Sequence, residues 1–291
     1  MRLSMSARLF VFLQQLLPRH LLTSLVYRIA RIRVPGIKDF LITRFIRLFD
    51  VDIEEVELDV PSGFATFNDF FIRELAAHAR PIDARPTSLI SPVDGTISSA
   101  GPIRADSILQ AKGLRYTLDD LLATDLDDAK AYVDGSYATI YLAPHNYHRV
   151  HAPLSGELIA ARYVPGDLYS VNAHTVAKLP GLFYRNERLI LHFVTSQGPA
   201  AVIFVGALNV GSISTPWSGE LRPRKSGVVE VLTLPAGPNM VSKGDLLGWF
   251  NMGSTVILLL PSGACDWHSG LHSGSELKMG ESIGELGHAV A

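Results

Sequence analysis

A six-residue motif occurs three times in the chain, and each copy has the composition of a turn followed by the start of a strand. The copies are PVDGTI at residues 92–97, PLSGEL at 153–158 and PWSGEL at 216–221, which share the pattern Pro-x-Asp/Ser-Gly-x-apolar. Proline and glycine suit successive positions of a turn, and Asp or Ser adds a local hydrogen bond to the backbone. The motif predicts that a strand follows each turn and that the chain is rich in β-structure.

A second repeat pairs KGDLLG at residues 243–248 with MGESIG at 279–284. Both repeats resemble those of biotinyl and lipoyl carrier domains and of their duplicated hybrid-barrel relatives, although any twisted barrel also uses glycine turns. The resemblance implies an α+β fold. Its expected form is a mainly β body with hybrid-barrel or carrier-like hairpin repeats, preceded by N-terminal amphipathic helices.

Other segments of the body have clear strand or helix patterns. Residues 137–142 and 189–194 alternate between apolar and polar positions, whereas 201–208 and 255–260 are continuous apolar runs of the length of a buried strand. The sequences TFND and TLDD, which begin at Thr66 and Thr117, resemble capping boxes and predict the starts of two helices.

Charge is distributed unevenly along the chain. Residues 1–50 contain nine lysines and arginines but two acidic residues, whereas the remainder contains 17 basic and 26 acidic residues. The first segment therefore carries +7 and the remainder −9, which gives the net charge of −2. A basic segment on an acidic body favours an anionic partner, either nucleic acid or an anionic membrane.

Apolar residues within 1–50 recur at helical spacing and predict two or three short amphipathic helices, broken at Pro18 and Pro35. These residues are Leu9, Phe12, Leu13, Leu16, Leu21, Leu22, Leu25, Val26, Ile29, Ile37, Phe40, Leu41, Phe45 and Leu48. Basic helices with an apolar face are typical of interfacial membrane helices. A compact basic cluster is missing, which disfavours nucleic acid. The other interpretation, a helical cap packed on the body, remains open.

No apolar run approaches the roughly 20 residues of a membrane span, and no secretory signal is recognisable. The single cysteine, Cys265, excludes an intrachain disulfide framework and permits a reducing compartment. We expect residues 1–50 to be a basic, amphipathic, helical arm that associates with a membrane, and residues 51–291 to be a separate β-rich domain.

Three histidines lie within seven residues of the segment PHNYHRVHAP, which spans 144–153: His145, His148 and His151. Histidine suits proton transfer near neutral pH, and a His-x-x-His-x-x-His run could instead bind zinc. The flanking prolines are too close for a long helix, so the three rings need not share a face. We favour catalysis by one or two of the histidines, a structural role for His145, and no metal site.

Two further candidates lie at turns. Gly253-Ser254-Thr255 precedes the apolar run 256–260, and Asp94 belongs to the first turn motif. Gly-Ser-Thr and Asp-Gly are both common in ordinary turns. Their functional interpretation needs a partner, namely an Asp that orients a histidine which in turn activates a serine. Asp94, a histidine from 145–151 and Ser254 supply such a set.

At these residues the chain resembles the membrane-associated bacterial phosphatidylserine decarboxylases, in order from about residue 50 to the C-terminus. The resemblance rests on residues 144–153, on 250–261 with Gly253-Ser254-Thr255, on Phe70-Phe71-x-Arg73-x-Leu75, and on Gln110-Ala111-Lys112-Gly113 followed by Tyr116-Thr117-Leu118. One departure is Met252, where the family usually has Leu. Because Met and Leu have similar volumes, we expect self-cleavage to persist, at a changed rate.

The resemblance implies a proenzyme that cuts itself between Gly253 and Ser254 into chains 1–253 and 254–291. By analogy, His151, oriented by Asp94, takes the proton of the Ser254 hydroxyl, which attacks the Gly253 carbonyl. Glycine at 253 permits the strained backbone that this attack requires. Ser254 then becomes a covalent pyruvoyl group, which is the cofactor and the Schiff-base site for the substrate amine. The same analogy gives His148 the role of proton donor to the substrate's α-carbon.

The implied reaction converts phosphatidylserine to phosphatidylethanolamine. The implied partners are phosphatidylserine, an anionic membrane surface and a second copy of the chain in a homodimer, without nucleic acid. The implied location is peripheral, on the cytoplasmic side of the cell membrane. Two alternatives remain: a non-enzymatic hybrid-barrel carrier or binding module, and a serine hydrolase that uses Asp94, His151 and Ser254. The hydrolase lacks a Gly-x-Ser-x-Gly elbow, and the carrier leaves the histidine cluster unexplained.

Overall fold

The computed structural model describes residues 17–123, 129–209 and 211–287. This part of the chain is mainly β-structure with a few helices, so the predicted α+β class with a β-rich body is confirmed. The predicted helical pattern from Leu9 to Leu16 lies outside the described residues. No helix within the described ranges is long and apolar enough to cross a membrane.

Four of the described helices begin where the sequence predicts a start. Pro18 precedes the first, Pro35 is the first residue of the second, and Thr66 and Thr117 cap two others by accepting hydrogen bonds from Asp69 N and Asp120 N at 3.1 Å. The helices are α1 (Arg19–Ala30), α2 (Pro35–Phe49), α3 (Phe67–Phe71), α4 (Leu118–Leu122), α5 (Ala173–Val176) and α6 (Leu182–Arg185).

The turn motif marks strand starts as predicted, since β2, β7 and β11 begin at Gly95, Gly156 and Gly219. In the second repeat, Gly244 and Gly280 have φ of +92° and +90°, a conformation that favours glycine. The strands are β1 (Ser88–Ile90), β2 (Gly95–Pro102), β3 (Ser107–Ala111), β4 (Leu114–Thr117), β5 (Ser136–Tyr141), β6 (Arg149–His151), β7 (Gly156–Val164), β8 (Arg188–Thr195), β9 (Gly198–Val205), β10 (Ile213–Thr215), β11 (Gly219–Leu221), β12 (Glu230–Val231), β13 (Met240–Val241), β14 (Leu246–Phe250), β15 (Thr255–Leu260), β16 (Cys265–Trp267), β17 (Glu276–Leu277) and β18 (Ser282–Leu286).

Among the described strands, the largest sheet has the order β12-β7-β8-β9-β15-β5-β2-β17, with β13 also paired to β7. Strand β15 lies inside this sheet, antiparallel to both β5 and β9, and all six of its residues are buried. A smaller sheet has the order β11-β10-β14-β6. Strands β14 and β15 are consecutive in the chain, so residues 251–254 connect the two sheets.

The helices near the N-terminus pack on the body through a separate apolar cluster. Its buried members are Ala30, Ile42, Val51, Phe64, Phe67, Phe70 and Phe71, and Met252 packs against them. The cluster therefore places α1, α2 and α3 against the connection between β14 and β15.

Candidate active site

Backbone hydrogen bonds bring the three candidate segments together. His151 N donates to Pro92 O at 2.8 Å, which joins the histidine segment to the first turn motif. Phe250 N donates to His148 O at 3.1 Å, which joins the same segment to the strand before Gly253. The segments are far apart in sequence, so their meeting is a product of the sheet topology.

Ser254 is the last residue before β15, and its position is fixed by a hydrogen bond from Leu142 N to its carbonyl oxygen at 2.8 Å. Its side chain is buried, with 1% of the residue exposed. The hydroxyl has no hydrogen-bond partner among the described residues. A buried hydroxyl without a partner carries an energetic cost, and such groups in native structures call for an explanation.

His148 is the imidazole that lies against the Gly253–Ser254 peptide. Its Nδ1 donates to the carbonyl oxygen of Asn146 at 2.8 Å, so the proton is on Nδ1 and Nε2 carries a lone pair. Nε2 has no hydrogen-bond partner within the described ranges. A Cβ built on Gly253 would lie 3.1 Å from Nε2, so a larger residue at 253 would crowd the ring.

Burial and charge keep His148 neutral. The ring is fully buried, and it packs on Phe71 with ring centroids 4.1 Å apart. Burial, followed by the positive charge of Arg73, lowers the pKa of His148 to about 3. The neutral imidazole therefore presents the lone pair of Nε2 beside the candidate cleavage site.

His151 is engaged in two other hydrogen bonds. Its Nδ1 donates to Gly244 O at 2.7 Å, and its Nε2 accepts from the Tyr147 hydroxyl at 3.1 Å. The two rings stack with centroids 5.7 Å apart. Burial lowers the pKa of His151, which favours the neutral form required of a base.

Asp94 is buried and paired with Arg80. Arg80 donates to both carboxylate oxygens, from Nε at 2.8 Å and from Nη2 at 2.5 Å, and the backbone N of Met279 donates to Oδ1 at 2.8 Å. Arg80 also donates to Glu55 at 2.8 Å. Asp94 is therefore held in place by partners other than a histidine.

The structure thus places the predicted residues in one region and joins some of them. Gly253 and His148 are in contact, and Ser254 follows directly. Among the described residues, however, no hydrogen bond links Asp94 to His151 or His151 to Ser254. The triad of Asp94, His151 and Ser254 stays a prediction, and it requires His151 to leave Tyr147.

A polar cavity of about 390 Å³ opens beside Asp94 and places Arg73 at the site, a role that the sequence analysis did not assign to it. Arg73, Asp94, His145 and Tyr147 are among its lining residues. Arg73 is 4% exposed and donates from Nη2 to His145 O at 2.8 Å, while its Nε and Nη1 are without partners in the described part of the chain. Burial lowers its pKa to about 10, so it stays charged at neutral pH. Arg73 belongs to the motif Phe70-Phe71-x-Arg73-x-Leu75, and its charge directly after an apolar run was the available signal.

The histidine cluster does not form a metal centre in this structure. Within the described residues, no group of three or more His, Cys, Asp or Glu side chains is placed so that it could hold a metal ion. His145, His148 and His151 have different surroundings, as expected for a segment that is not a long helix.

Comparison with known proteins gives one family over nearly the whole chain. The family model described as phosphatidylserine decarboxylase matches residues 67–285, and a second model, described as PSD, matches residues 9–50. The phosphatidylserine decarboxylase proenzyme of Alcanivorax borkumensis is 44% identical over 283 residues, which cover 97% of each chain. That of Azotobacter vinelandii is 44% identical over 285 residues, 97% of this chain and 99% of the relative. That of Saccharophagus degradans is 42% identical over 278 residues, 96% of this chain and 97% of the relative.

Proposed function

This chain belongs to the phosphatidylserine decarboxylase family, and on that premise we propose that it decarboxylates phosphatidylserine to phosphatidylethanolamine after cutting itself between Gly253 and Ser254. The observation that carries the proposal is the presence of two buried side-chain groups without hydrogen-bond partners beside that peptide, the Ser254 hydroxyl and His148 Nε2. Family membership removes the carrier module as an alternative. The burial of Ser254 argues against a hydrolase that acts on external substrates.

Self-cleavage follows from the reactivity of a serine hydroxyl next to a peptide carbonyl. A base removes the hydroxyl proton, and the oxygen attacks the Gly253 carbonyl carbon, which converts the amide into an ester. Elimination of the ester leaves the Gly253 carboxylate and a dehydroalanine at 254. Tautomerisation to the imine and hydrolysis by one water release ammonia and leave a pyruvoyl group on chain 254–291.

The residues present fit a pyruvoyl group at position 254. When formed, the group supplies an electron-accepting carbonyl for an amine substrate that loses CO₂. Burial excludes bulk water from this position, and the backbone bond from Leu142 fixes it at the head of a central strand. The neutral His148 lies where a proton could be held or transferred.

We assign the two proton transfers to different histidines, as the sequence suggests. His151, with Asp94, is the proposed base for the Ser254 hydroxyl. His148, once it has taken up a proton at Nε2, is the proposed donor to the substrate's α-carbon. The contact between His148 and Gly253 supports a role for His148 at the reaction centre, and it also suits His148 as the base in cleavage. Variants of His148 and His151 therefore decide which histidine is the base in cleavage and which is the proton donor.

The central test is the number of chains that one gene product yields. The wild type should yield chains 1–253 and 254–291 on a denaturing gel, and mass spectrometry should find the smaller one blocked by a ketone. Ser254→Ala should remain one chain of 31.7 kDa without activity. Thr139→Ala, which removes a buried hydroxyl from the neighbouring strand β5, is the control and should cleave. A wild type that stays a single active chain would contradict the pyruvoyl mechanism.

The two histidines are separated by measuring cleavage and CO₂ release on the same preparations. His151→Ala should stay uncleaved, whereas His148→Ala should cleave substantially but lose about 10²–10⁴-fold in CO₂ release, the usual value of general acid catalysis. His192→Ala removes a buried imidazole from β8 and controls for the cost of such a loss. Failure of His148→Ala to cleave, with the control intact, would move the base role to His148.

The first two described helices support the proposed membrane arm, because their exposed side is apolar. The most exposed large apolar residues of α1 and α2 are Leu21, Leu25, Phe40 and Leu48, which are 54–75% exposed. The polar Arg19, Thr23 and Lys38 of the same helices are buried, and Arg19 pairs with Asp167 at 2.9 Å. The two interpretations of the arm are therefore compatible, since these polar residues pack on the body together with Ala30 and Ile42, while the exposed apolar residues are available to lipid.

A cavity between α1 and α2 further supports a lipid substrate. It has a volume of about 400 Å³, and its lining is apolar apart from Arg44 and Arg47. Met252, the residue before Gly253, forms part of the lining. An apolar cavity with two arginines suits the acyl region of an anionic phospholipid close to the proposed reaction centre.

The remaining expectations are proposals from the resemblance. They are the division into an arm at 1–50 and a catalytic domain at 51–291, the hybrid-barrel relationship, the homodimer, and a peripheral location on the cytoplasmic side of the cell membrane. The three glycine-initiated strands support the hybrid-barrel relationship. Light scattering of the detergent-free protein measures the oligomeric state directly.

A further inference from the structure

Asn251, two residues before the candidate cleavage site, is held by four hydrogen bonds. Its backbone N donates to Ser212 O at 2.9 Å, and its side-chain Nδ2 donates to the hydroxyls of Ser212 and Ser214 at 2.8 Å each. Its Oδ1 accepts from Asn68 at 3.1 Å. All four residues are buried, so these bonds determine where residues 251–254 lie.

The hydrogen bonds continue from Ser212 to helix α1. Ser212 Oγ donates to Glu220, whose carboxylate also accepts from Arg31 Nη2 at 2.7 Å and from the Tyr27 hydroxyl at 3.0 Å. Tyr27 lies in α1, and Arg31 caps its C-terminal end. An unbroken chain of side chains therefore connects the arm to Asn251.

Gly211 shows how closely the arm approaches this connection. A Cβ built on Gly211 would lie 3.1 Å from Tyr27 Cδ2, 3.5 Å from Asn251 O and 3.7 Å from Arg31 Nη1. Helix α1 and the segment before the cleavage site thus share one surface, where a side chain at 211 would crowd both.

We propose that Glu220, Ser212 and Asn251 are positioning residues that hold the Gly253–Ser254 peptide in its reactive geometry when α1 is docked on the body. The proposal rests on the proposed self-cleavage. It gives the arm a second purpose beside lipid contact, because loss of the Tyr27 and Arg31 contacts to Glu220 would change the position of the cleavage segment. None of the three residues touches the reacting atoms, so their effect is on geometry.

The chain contains a matched control for this idea. Arg19, at the other end of α1, pairs with Asp167 at 2.9 Å, and Asp167 lies outside the chain of bonds to Asn251. Asp167→Ala and Glu220→Ala each remove one carboxylate that holds α1 to the body. They differ in whether that carboxylate is bonded to the cleavage segment.

The experiment follows self-cleavage of a pulse-labelled, full-length precursor made by cell-free synthesis, with chase samples on a denaturing gel. Because a misplacement of about 1 Å can cost about 10²-fold in rate, Glu220→Ala and Asn251→Ala should each slow cleavage at least about tenfold. Glu220→Gln keeps an acceptor oxygen for Ser212 and should recover most of the rate. Asp167→Ala should cleave within about twofold of the wild type.

The double variant Glu220→Ala/Asn251→Ala tests whether the two residues act through one chain. Residues that share a hydrogen-bond network have non-additive effects, so the double variant should be no more than about twofold slower than the slower single variant. Multiplied effects, an unchanged rate in Glu220→Ala, or equal slowing by Asp167→Ala would overturn the proposal. Thermal unfolding of each Ser254→Ala counterpart verifies the fold. An uncleaved wild type would instead contradict the proposed function itself.

Discussion

The central sheet and helix α1 differ in how far they bury their large apolar residues. Strand β15 places all six of its side chains, from Thr255 to Leu260, out of solvent. Helix α1 instead leaves Leu21 and Leu25 68% and 54% exposed and buries Arg19 and Thr23. The sheet follows the usual hydrophobic effect, whereas α1 docks through polar contacts and Ala30 and leaves its larger apolar residues Leu21 and Leu25 exposed in the described structure. Apolar residues are thus buried in one region and exposed to solvent in the other.

The largest expected effect is a difference in the free energy of unfolding between a variant in β15 and a variant in α1. Ile257 is fully buried in β15 between β5 and β9, so Ile257→Ala should lower the free energy of unfolding by about 2–5 kcal/mol. Leu25→Ala, at an exposed position of α1, should change it by less than about 0.5 kcal/mol. Urea unfolding of both variants in the uncleaved Ser254→Ala background measures the difference. Similar losses would show that Leu25 has a buried partner in solution.

The exposed leucines of α1, which should contribute little to stability, should contribute strongly to membrane binding. Burying a leucine side chain contributes about 1.5–3 kcal/mol, so Leu21→Ser/Leu25→Ser should weaken binding to anionic liposomes by about 10²-fold. Val194→Ser, at a half-exposed apolar position of β8, is the control and should bind normally. Co-sedimentation measures both. Point variants are preferable to removal of residues 1–50, because Ala30 and Ile42 belong to an apolar cluster with α3 that removal would expose. If Leu21→Ser/Leu25→Ser binds the liposomes as the parent does, the helices are a cap packed on the body and do not bind the membrane.

The sequence alone predicted the positions of these helices and strands, but not which side of α1 faces the body. Helical spacing and two prolines located α1 and α2, and three glycine turns located the starts of β2, β7 and β11. These are local signals, set by backbone preferences of a few residues. The side of α1 that faces the body depends instead on distant partners such as Asp167 and Glu220. The spacing of residues within α1 does not indicate these distant partners.

The candidate site shows the same limit. The histidine segment, Asp94 and Ser254 were recognisable, and the topology brings their segments together. Which histidine contacts Gly253 depends on side-chain directions, and His148 makes that contact while His151 bonds to Tyr147 and Gly244. Asp94 looks like a histidine partner in sequence, but its partner in the structure is Arg80. Tertiary contacts of this kind have no local signature.

The smallest expected effect concerns an ionisable residue that is buried in the otherwise apolar body. Glu187 is fully buried beside β8 and accepts a hydrogen bond from the Tyr163 hydroxyl at 2.5 Å. Burial raises the pKa of its carboxyl to about 8. In the unfolded chain the carboxyl titrates near its ordinary value, so between these values the folded state binds the extra proton. Its contribution to stability is therefore present at low pH and is lost as the pH rises through about 8.

Glu187→Gln should remove this pH dependence while keeping the shape of the side chain. From about pH 6.5 to about pH 7.5 the parent protein should lose about 1 kcal/mol of stability through this group, since each proton difference contributes about 1.4 kcal/mol per pH unit. The variant should lack that loss and be the more stable protein above about pH 8. Urea unfolding at the two pH values, again with Ser254→Ala, measures the difference, and Glu220→Gln, a half-exposed carboxylate, is the matched control. If the free energy of unfolding of Glu187→Gln changes with pH as much as that of the parent, water reaches Glu187 in the folded protein. The interior of the body would then exclude water less completely than its apolar strands indicate.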